Sequence, residues 1–212
     1  MGHSSWLRPT TITWTSELEK YRPIFEKIVQ ECAAALPGFD FYLLRRGEVY
    51  KDFKDTDEYI KGYLQMDSER GCWTINSHPL VSSLTSEIMN FELRNLTIVF
   101  TRQPISGKEN CRYDDYDTRS AIISLEFCNS DDEIRKAASV MLRHVLGHIY
   151  LRRNETHCDN PYCIMHRMSS RESIMQHIAP SAKYSGFCEG CWQKIQKSRI
   201  WVNEPSCVSD SR

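Results

Sequence analysis

Apolar residues recur at Leu18, Tyr21, Phe25, Ile28, Cys32 and Leu36, the three-to-four spacing of one helix face. Ser16 and Glu19 fit a capping box just ahead of it. Pro23 either starts the main helix or kinks it, and Pro37-Gly38 ends it. Upstream, residues 1–15 read as a loose leader with a short strand at 10–14. Downstream, residues 39–44, 95–101 and 120–127 are short apolar, β-branched or aromatic runs and predict strands. Residues 55–66 and 81–91 predict two further helices, the first of them weak. Residues 104–118 are polar, with Gly107 and the acidic group Asp114, Asp115 and Asp117, and predict a long surface loop.

The best-defined helix covers residues 130–152. Ser130 and Glu133 form a second capping box, and Asp131, Asp132 and Glu133 put negative charge at the positive end of the helix dipole. Ile134, Ala137, Ala138, Met141, Leu142, Val145 and Ile149 make a broad apolar face, so this helix is expected to be largely buried. His144 and His148 are four apart and lie on one ridge of it. The chain then becomes loop-rich, with a short helix at 170–178. Helices and strands mixed, followed by a helical and loop-rich end, predict an α+β or α/β fold.

Composition narrows the function classes. A chain of 212 residues can bury a sizeable core, as one domain or two packed lobes. Its 27 basic and 28 acidic residues give no charge excess, so neither nucleic acid nor an acidic disordered tail is indicated. No apolar run approaches the roughly 18–20 residues of a membrane span. Residues 1–9 lack the apolar core of a secretory signal, which predicts a cytoplasmic, reducing compartment. The nine cysteines are then expected as thiols or metal ligands rather than disulfides.

Residues 144–191 hold five of the seven histidines and four of the nine cysteines. Two histidines at i and i+4 can bind one zinc ion from one helix face, and a catalytic zinc usually has three protein ligands and an open position. His157, on the segment leaving the helix, is the nearest third candidate. In the metalloprotease motif the residue after the first histidine is a glutamate that serves as general base; here it is Val145, which cannot accept a proton. Packing histidines remain the plain alternative. Cys158 and Cys163 form one pair and Cys188 and Cys191 a second, CxxC pair. Four thiolates at this spacing suit a closed structural zinc site. A disulfide or a redox CxxC is the alternative, although no thioredoxin-like βαβ unit surrounds the motif. Gly186 and Gly190 offer the backbone freedom a CxxC turn needs. Cys32, Cys72, Cys111, Cys128 and Cys207 are scattered and expected to be inert.

The order of these pieces resembles the archaemetzincins, a family of zinc metallopeptidase-like proteins with the pattern HExxHxxGxxHC, four residues, CxM, a spacer and CxxC. This chain shows His144-Val145-Leu146-Gly147-His148, then His157-Cys158, Cys163-Ile164-Met165 and Cys188-Glu189-Gly190-Cys191. The match covers residues 140–192, about a quarter of the chain. The resemblance implies a metzincin-like α+β fold, with a mixed sheet and long helices in an upper lobe, residues 1–153, and a small zinc-bound lower lobe, residues 154–212. It implies a methionine turn at Met165 beneath a catalytic-type zinc on His144, His148 and His157. It also implies that Cys158, Cys163, Cys188 and Cys191 hold a second, structural zinc. By the same analogy residues 120–127 are the edge strand that a polypeptide would join.

The departures are as specific as the match. Val145 replaces the catalytic glutamate, and Leu151 stands where the family has a helix-ending glycine. His157 follows His148 by nine residues where the family has six, and Asn154 takes the family's place. Three residues are close to one helical turn, so the helix is expected to run on to about 152–154. His157 is then either carried away from the pair or returned to it by a rebuilt loop. Glu155, in the insertion, could ligate the metal or hold a water as a substitute base, though a solvated loop residue is the simpler reading. His166 is expected near the cysteine site, His177 and Tyr184 in packing roles, and Arg143, Arg152, Arg153 and Arg167 on a solvated basic face. Two functions follow from the resemblance: a degenerate metallopeptidase that binds a polypeptide without cutting it, or a working zinc metallopeptidase with a substitute base.

Overall fold

Alternate residues of the central strands face two different cores, and this alternation sets the layers of the molecule. On one side of the sheet Ile12, Ile98, Phe100, Ala121 and Ile123 join a large apolar cluster. On the other, Val99 and Ile122 join a smaller one with Ile75, Leu80 and Ile105. Strands buried on both faces read as continuous apolar runs, which is how 95–101 and 120–127 stand out in the sequence. The computed structural model describes residues 8–36, 39–43, 56–89, 96–108, 111–113, 120–151, 157–168, 171–177 and 184–202.

The sheet has five strands: β1 (Arg8–Trp14), β2 (Phe39–Leu43), β5 (Leu96–Thr101), β6 (Cys111–Tyr113) and β7 (Ser120–Ser124), in the order β2-β1-β5-β7-β6. The first four in that order run parallel, and β6 lies antiparallel on β7, with Arg112 opposite Ile122. β3 (Leu64–Asp67) and β4 (Cys72–Ile75) form a separate hairpin. Helices α1 (Arg22–Ala35) and α4 (Asp131–Leu151) cover the large-cluster face, and α3 (Ser77–Met89) the other, where the Ser120 hydroxyl donates to the Val81 carbonyl at 2.9 Å. The remaining helices are α2 (Thr56–Lys61), α5 (Arg171–Gln176) and α6 (Glu189–Val202). This is a mixed α/β arrangement. Among the described residues no helix is long and apolar enough to cross a membrane.

Several expectations need correction. Residues 55–66 are not one helix: α2 stops at Lys61 and β3 begins at Leu64. The expected surface loop at 104–118 contains a 3-10 turn, Ser106–Lys108, and the strand β6. That strand covers the outer side of β7, so residues 120–127 are not the edge strand; β6 is at the end of the sheet. The apolar character of β7, buried at all five positions, reflects that inner place. Ser16 and Glu19 do not make a capping box. Residues Ser16–Tyr21 form a 3-10 turn, the Ser16 N–H and hydroxyl donate to Asp57, and Glu19 accepts from the Trp14 indole at 2.7 Å. Pro23 sits in the first turn of α1, where its missing N–H costs nothing.

At the start of α4 the Ser130 hydroxyl accepts the Glu133 N–H at 3.3 Å, as a capping box requires, while Glu133 reaches back to the N–H of Asn129 at 2.7 Å. The helix does not break after His148 and continues to Leu151. Residues 152–156, with Asn154 and Glu155, lie outside the described residues.

Candidate metal centres

α4 owes its place to the core beneath it. Ala137, Ala138, Met141, Leu142, Val145 and Leu146 are all fully buried. That burial fixes the rotation of the helix and so aims His144 and His148, which are 3% and 8% exposed, into the same space. Their Nε2 atoms are 3.0 Å apart. The segment after the helix brings His157 to them: its ring lies 5.3 Å from that of His144, nearly parallel, and 5.0 Å from that of His148. One ring nitrogen from each of the three falls within 4.8 Å of the others. Of the two outcomes open for His157, the structure shows the return.

The hydrogen bonds identify the nitrogens. The Ile164 carbonyl can only accept, so at 2.6 Å from His144 Nδ1 it holds the proton there and leaves Nε2 with its lone pair. Burial pushes the His144 imidazole down to about 4. Burial, with His144 and His157 beside it, pushes His148 down to about 2. Burial, followed by the nearby Arg167 and His166, also lowers His157. Three neutral imidazoles converge, as a cation requires. Tetrahedral coordination at about 2.0–2.1 Å would place ligand nitrogens roughly 3.3 Å apart, close to the observed separation. The donor set fits a trihistidine metal centre.

These shifts predict a pH dependence for the metal-stripped protein. The folded-state values lie below the ordinary 6.5, so the unfolded chain binds protons first as the pH falls. The stability these groups contribute is complete above about 6.5 and is lost as the pH falls toward 4. Urea midpoints of the stripped protein should therefore stay level from about pH 7.5 to about 6.5 and fall steadily from there to about 4.5. A flat profile would remove both histidines from this buried neutral state.

Cys158, Cys163, Cys188 and Cys191 likewise present four sulfurs within 4.8 Å of one another. Cys158 Sγ and Cys188 Sγ are 3.6 Å apart, against about 3.8 Å for a tetrahedral site with metal–sulfur bonds of about 2.3 Å. Cys163 Sγ accepts the N–H of Cys188 at 3.2 Å and of Met165 at 3.4 Å. The Cys191 thiol and these two N–H groups hold Cys163 down at about 5. The same contact raises Cys191, and burial raises Cys158. None of the four is in a disulfide. Gly186 takes a positive φ of 93° ahead of Cys188, whereas Gly190 lies within α6 and needs no such freedom.

Gly147 is a close-packing residue next to the histidine site that spacing alone did not reveal. A Cβ there would lie 2.3 Å from Met165 Sδ and 2.9 Å from Phe187 Cε1. Glycine inside a helix costs roughly 1 kcal/mol against alanine, which is itself a sign of close approach. Met165 therefore packs directly on the helix backbone between the two histidines. Gly147→Ala should lower stability despite the better helix propensity, because overpacking costs about 1–3 kcal/mol. Denaturant melts, read beside metal titration, would check it; a gain in stability would show that Met165 and Phe187 move aside freely.

The other expected residues are placed as follows. His166 donates from Nδ1 to the Cys158 carbonyl at 2.8 Å, next to the cysteine cluster. His177 is buried after α5, and Tyr184 packs on Trp192 at 6.4 Å. Arg143 is not on a solvated face: it is 7% exposed and lies 3.6 Å from Glu31 on α1. Arg152, Arg153, Cys207 and the Cys111 side chain lie outside the described residues. Burial pushes the Cys32 and Cys128 thiols up to about 11 and 12, which makes both unreactive.

A mixed sheet, a long helix bearing two of three convergent histidines, and a four-cysteine cluster define a mixed α/β fold with two candidate metal centres. Among solved structures the chain is similar to the archaemetzincin of Methanopyrus kandleri, with a TM-score of 0.64 and 17% identity over 93% of this chain and 98% of that one. It is also similar to a zinc-dependent peptidase of Methanocorpusculum labreanum, with a TM-score of 0.56 and 18% identity over 88% of this chain and 99% of that one. The fold is archaemetzincin-like. No protein-family model and no curated protein matches the sequence.

Proposed function

We propose that this chain is a two-zinc, metallopeptidase-like protein whose histidine centre has lost peptide hydrolysis and which binds a polypeptide instead. The observation that carries this reading is Val145. It occupies the helical position beside the first histidine and is 0% exposed, packed into the main core. Among the described residues no carboxylate joins the trihistidine group. A zinc ion bound there would polarise a carbonyl and acidify a water. The chain's own part, taking a proton and passing it to the leaving amine, has no group to perform it among the described residues, and such losses typically cost about 10²–10⁴-fold in rate.

In this reading residues 154–212 form the zinc-bound lower lobe and residues 1–153 the upper one. The polypeptide would add along β6, because strand addition needs backbone hydrogen bonds and no acid–base chemistry. The complete histidine set supports a second reading, a working zinc hydrolase with Glu155 as base. The test is a peptide-library assay on zinc-replete protein, with and without chelator. No turnover is expected; chelator-sensitive turnover lost in Glu155→Gln would establish the second reading.

A further inference from the structure

Three of the four clustered cysteines have a chain neighbour that touches the histidine site. Cys158 follows His157, whose ring stacks on His144 at 5.3 Å. Cys163 precedes Ile164, whose carbonyl fixes the His144 proton from 2.6 Å. Cys188 follows Phe187, whose ring closes on Gly147, within 2.9 Å of where a Cβ would stand.

The two histidines of α4 are held independently, since the helix is locked into the core by Met141, Leu142, Val145 and Leu146. The third histidine, the tautomer-fixing carbonyl and the packing wedge all come from the segments that carry the thiols. Those segments brace one another through the Cys158 N–H on the Met165 carbonyl and the Ile164 N–H on the Gly186 carbonyl, both 2.8 Å. They are tied further by the His166 ring on the Cys158 carbonyl at 2.8 Å, by the shared core packing of Ile164, Met165 and Phe187, and by the sulfur cluster itself.

The geometry points to an ordered pair of metal sites, in which an ion in the four-cysteine cluster builds the histidine site by fixing His157, the Ile164 carbonyl and Phe187. This rests on the reading of both groups as metal sites. Ordering the thiol-bearing segments has an entropic cost, and an ion that gathers four thiolates meets it. The histidine site then binds its ion in a preformed cage. Without the first ion, the second must order the same segments with three neutral ligands, one of which lies on them. The coupling is reciprocal in free energy. Four thiolates attract a dication more strongly than three imidazoles, so the expected order is sulfur first, histidine second. The histidine centre of this chain thus holds its ion most tightly while the thiols are reduced and metallated.

Cobalt(II) tests this, because sulfur-to-cobalt charge transfer separates the two sites by absorbance. Stripped, reduced wild-type protein should take up one equivalent with strong charge transfer and then a second without it. Cys188→Ser should weaken the second, non-thiolate binding by about 10–100-fold, the range seen when groups that orient metal ligands are removed. His144→Ala should keep the full charge-transfer band. Wild-type histidine-site affinity in Cys188→Ser overturns the coupling while leaving two metal sites in place. A wild-type protein that binds only one, thiolate-bound cobalt overturns the trihistidine site and the coupling together.

If Cys188→Ser does not fold by circular dichroism, Cys188→His serves, since three cysteines and a histidine still close a tetrahedral site. In that variant the non-thiolate bands should grow only as the weakened charge-transfer band fills. Non-thiolate bands that saturate first overturn the proposal.

Discussion

Cys163→Ser is expected to strip the four-cysteine centre of its ion and to melt the segment from His157 to Cys191 while leaving the sheet folded. Cys163 is fully buried and sits at the middle of the cluster, where its sulfur accepts two backbone N–H groups. A serine oxygen is shorter, is not ionised near neutral pH and is a poor partner for an ion held otherwise by sulfur. Structural zinc contributes on the order of 10–16 kcal/mol in small domains, and losing one of four ligands forfeits a large part of it. Zinc per chain should drop by at least one equivalent, and the thermal unfolding of the variant should split or shift strongly downward. Unchanged zinc content and an unchanged melt would show that the cluster is four packed thiols. Free reaction of all four thiols with an alkylating reagent in metal-replete wild-type protein would show the same.

Val145→Glu is expected to give chelator-sensitive peptide hydrolysis that the wild-type chain lacks. The substitution puts a carboxylate on α4 next to His144, at the position from which the metalloprotease motif supplies its base. The rise over the wild-type background should be of order 10²–10⁴, the usual worth of a positioned general base. It carries a structural cost, because Val145 is completely buried among apolar side chains. A carboxylate there is tolerable only where an ion or a water partners it, so metal-stripped Val145→Glu should be less stable than the stripped wild type. His144→Ala in the same background should abolish the gained activity. An inert Val145→Glu that still binds two zinc ions would show that the site is closed to substrate, and the missing base would then be only part of the loss.

Much of the site was legible in the sequence because metal chemistry restricts residue type and spacing together. His144 and His148 declare their common ridge by their separation, and the two cysteine pairs declare theirs. The return of His157 was not legible, since it depends on a carbonyl and a ring stack that leave no pattern in the letters. Gly147 was written in plain view but becomes meaningful only beside Met165. In the fold, long periodic elements such as α1 and α4 were readable, and the short pieces were not. β6 has three residues and β4 four, too few to show alternation, and their pairing is decided by neighbours distant in sequence. α6 went unread for another reason: it has 14 residues, as α1 does, but of its described side chains only Cys191 and Ile195 are buried in the core, with Trp192 partly so.

Because Cys158, next in the chain, sits in the sulfur cluster, the imidazole of His157 is anchored from its carboxyl side and not by its count from His148. Chain length between two fixed points is a weak constraint, since doubling a flexible connection costs roughly 0.6 kcal/mol in closure entropy. The nine-residue interval from His148 to His157, against six in the archaemetzincin pattern, is the kind of change this attachment permits. Variants with one or two glycines added after Leu151 should keep both metal ions, whereas one residue inserted between His157 and Cys158 should lose the histidine-bound one.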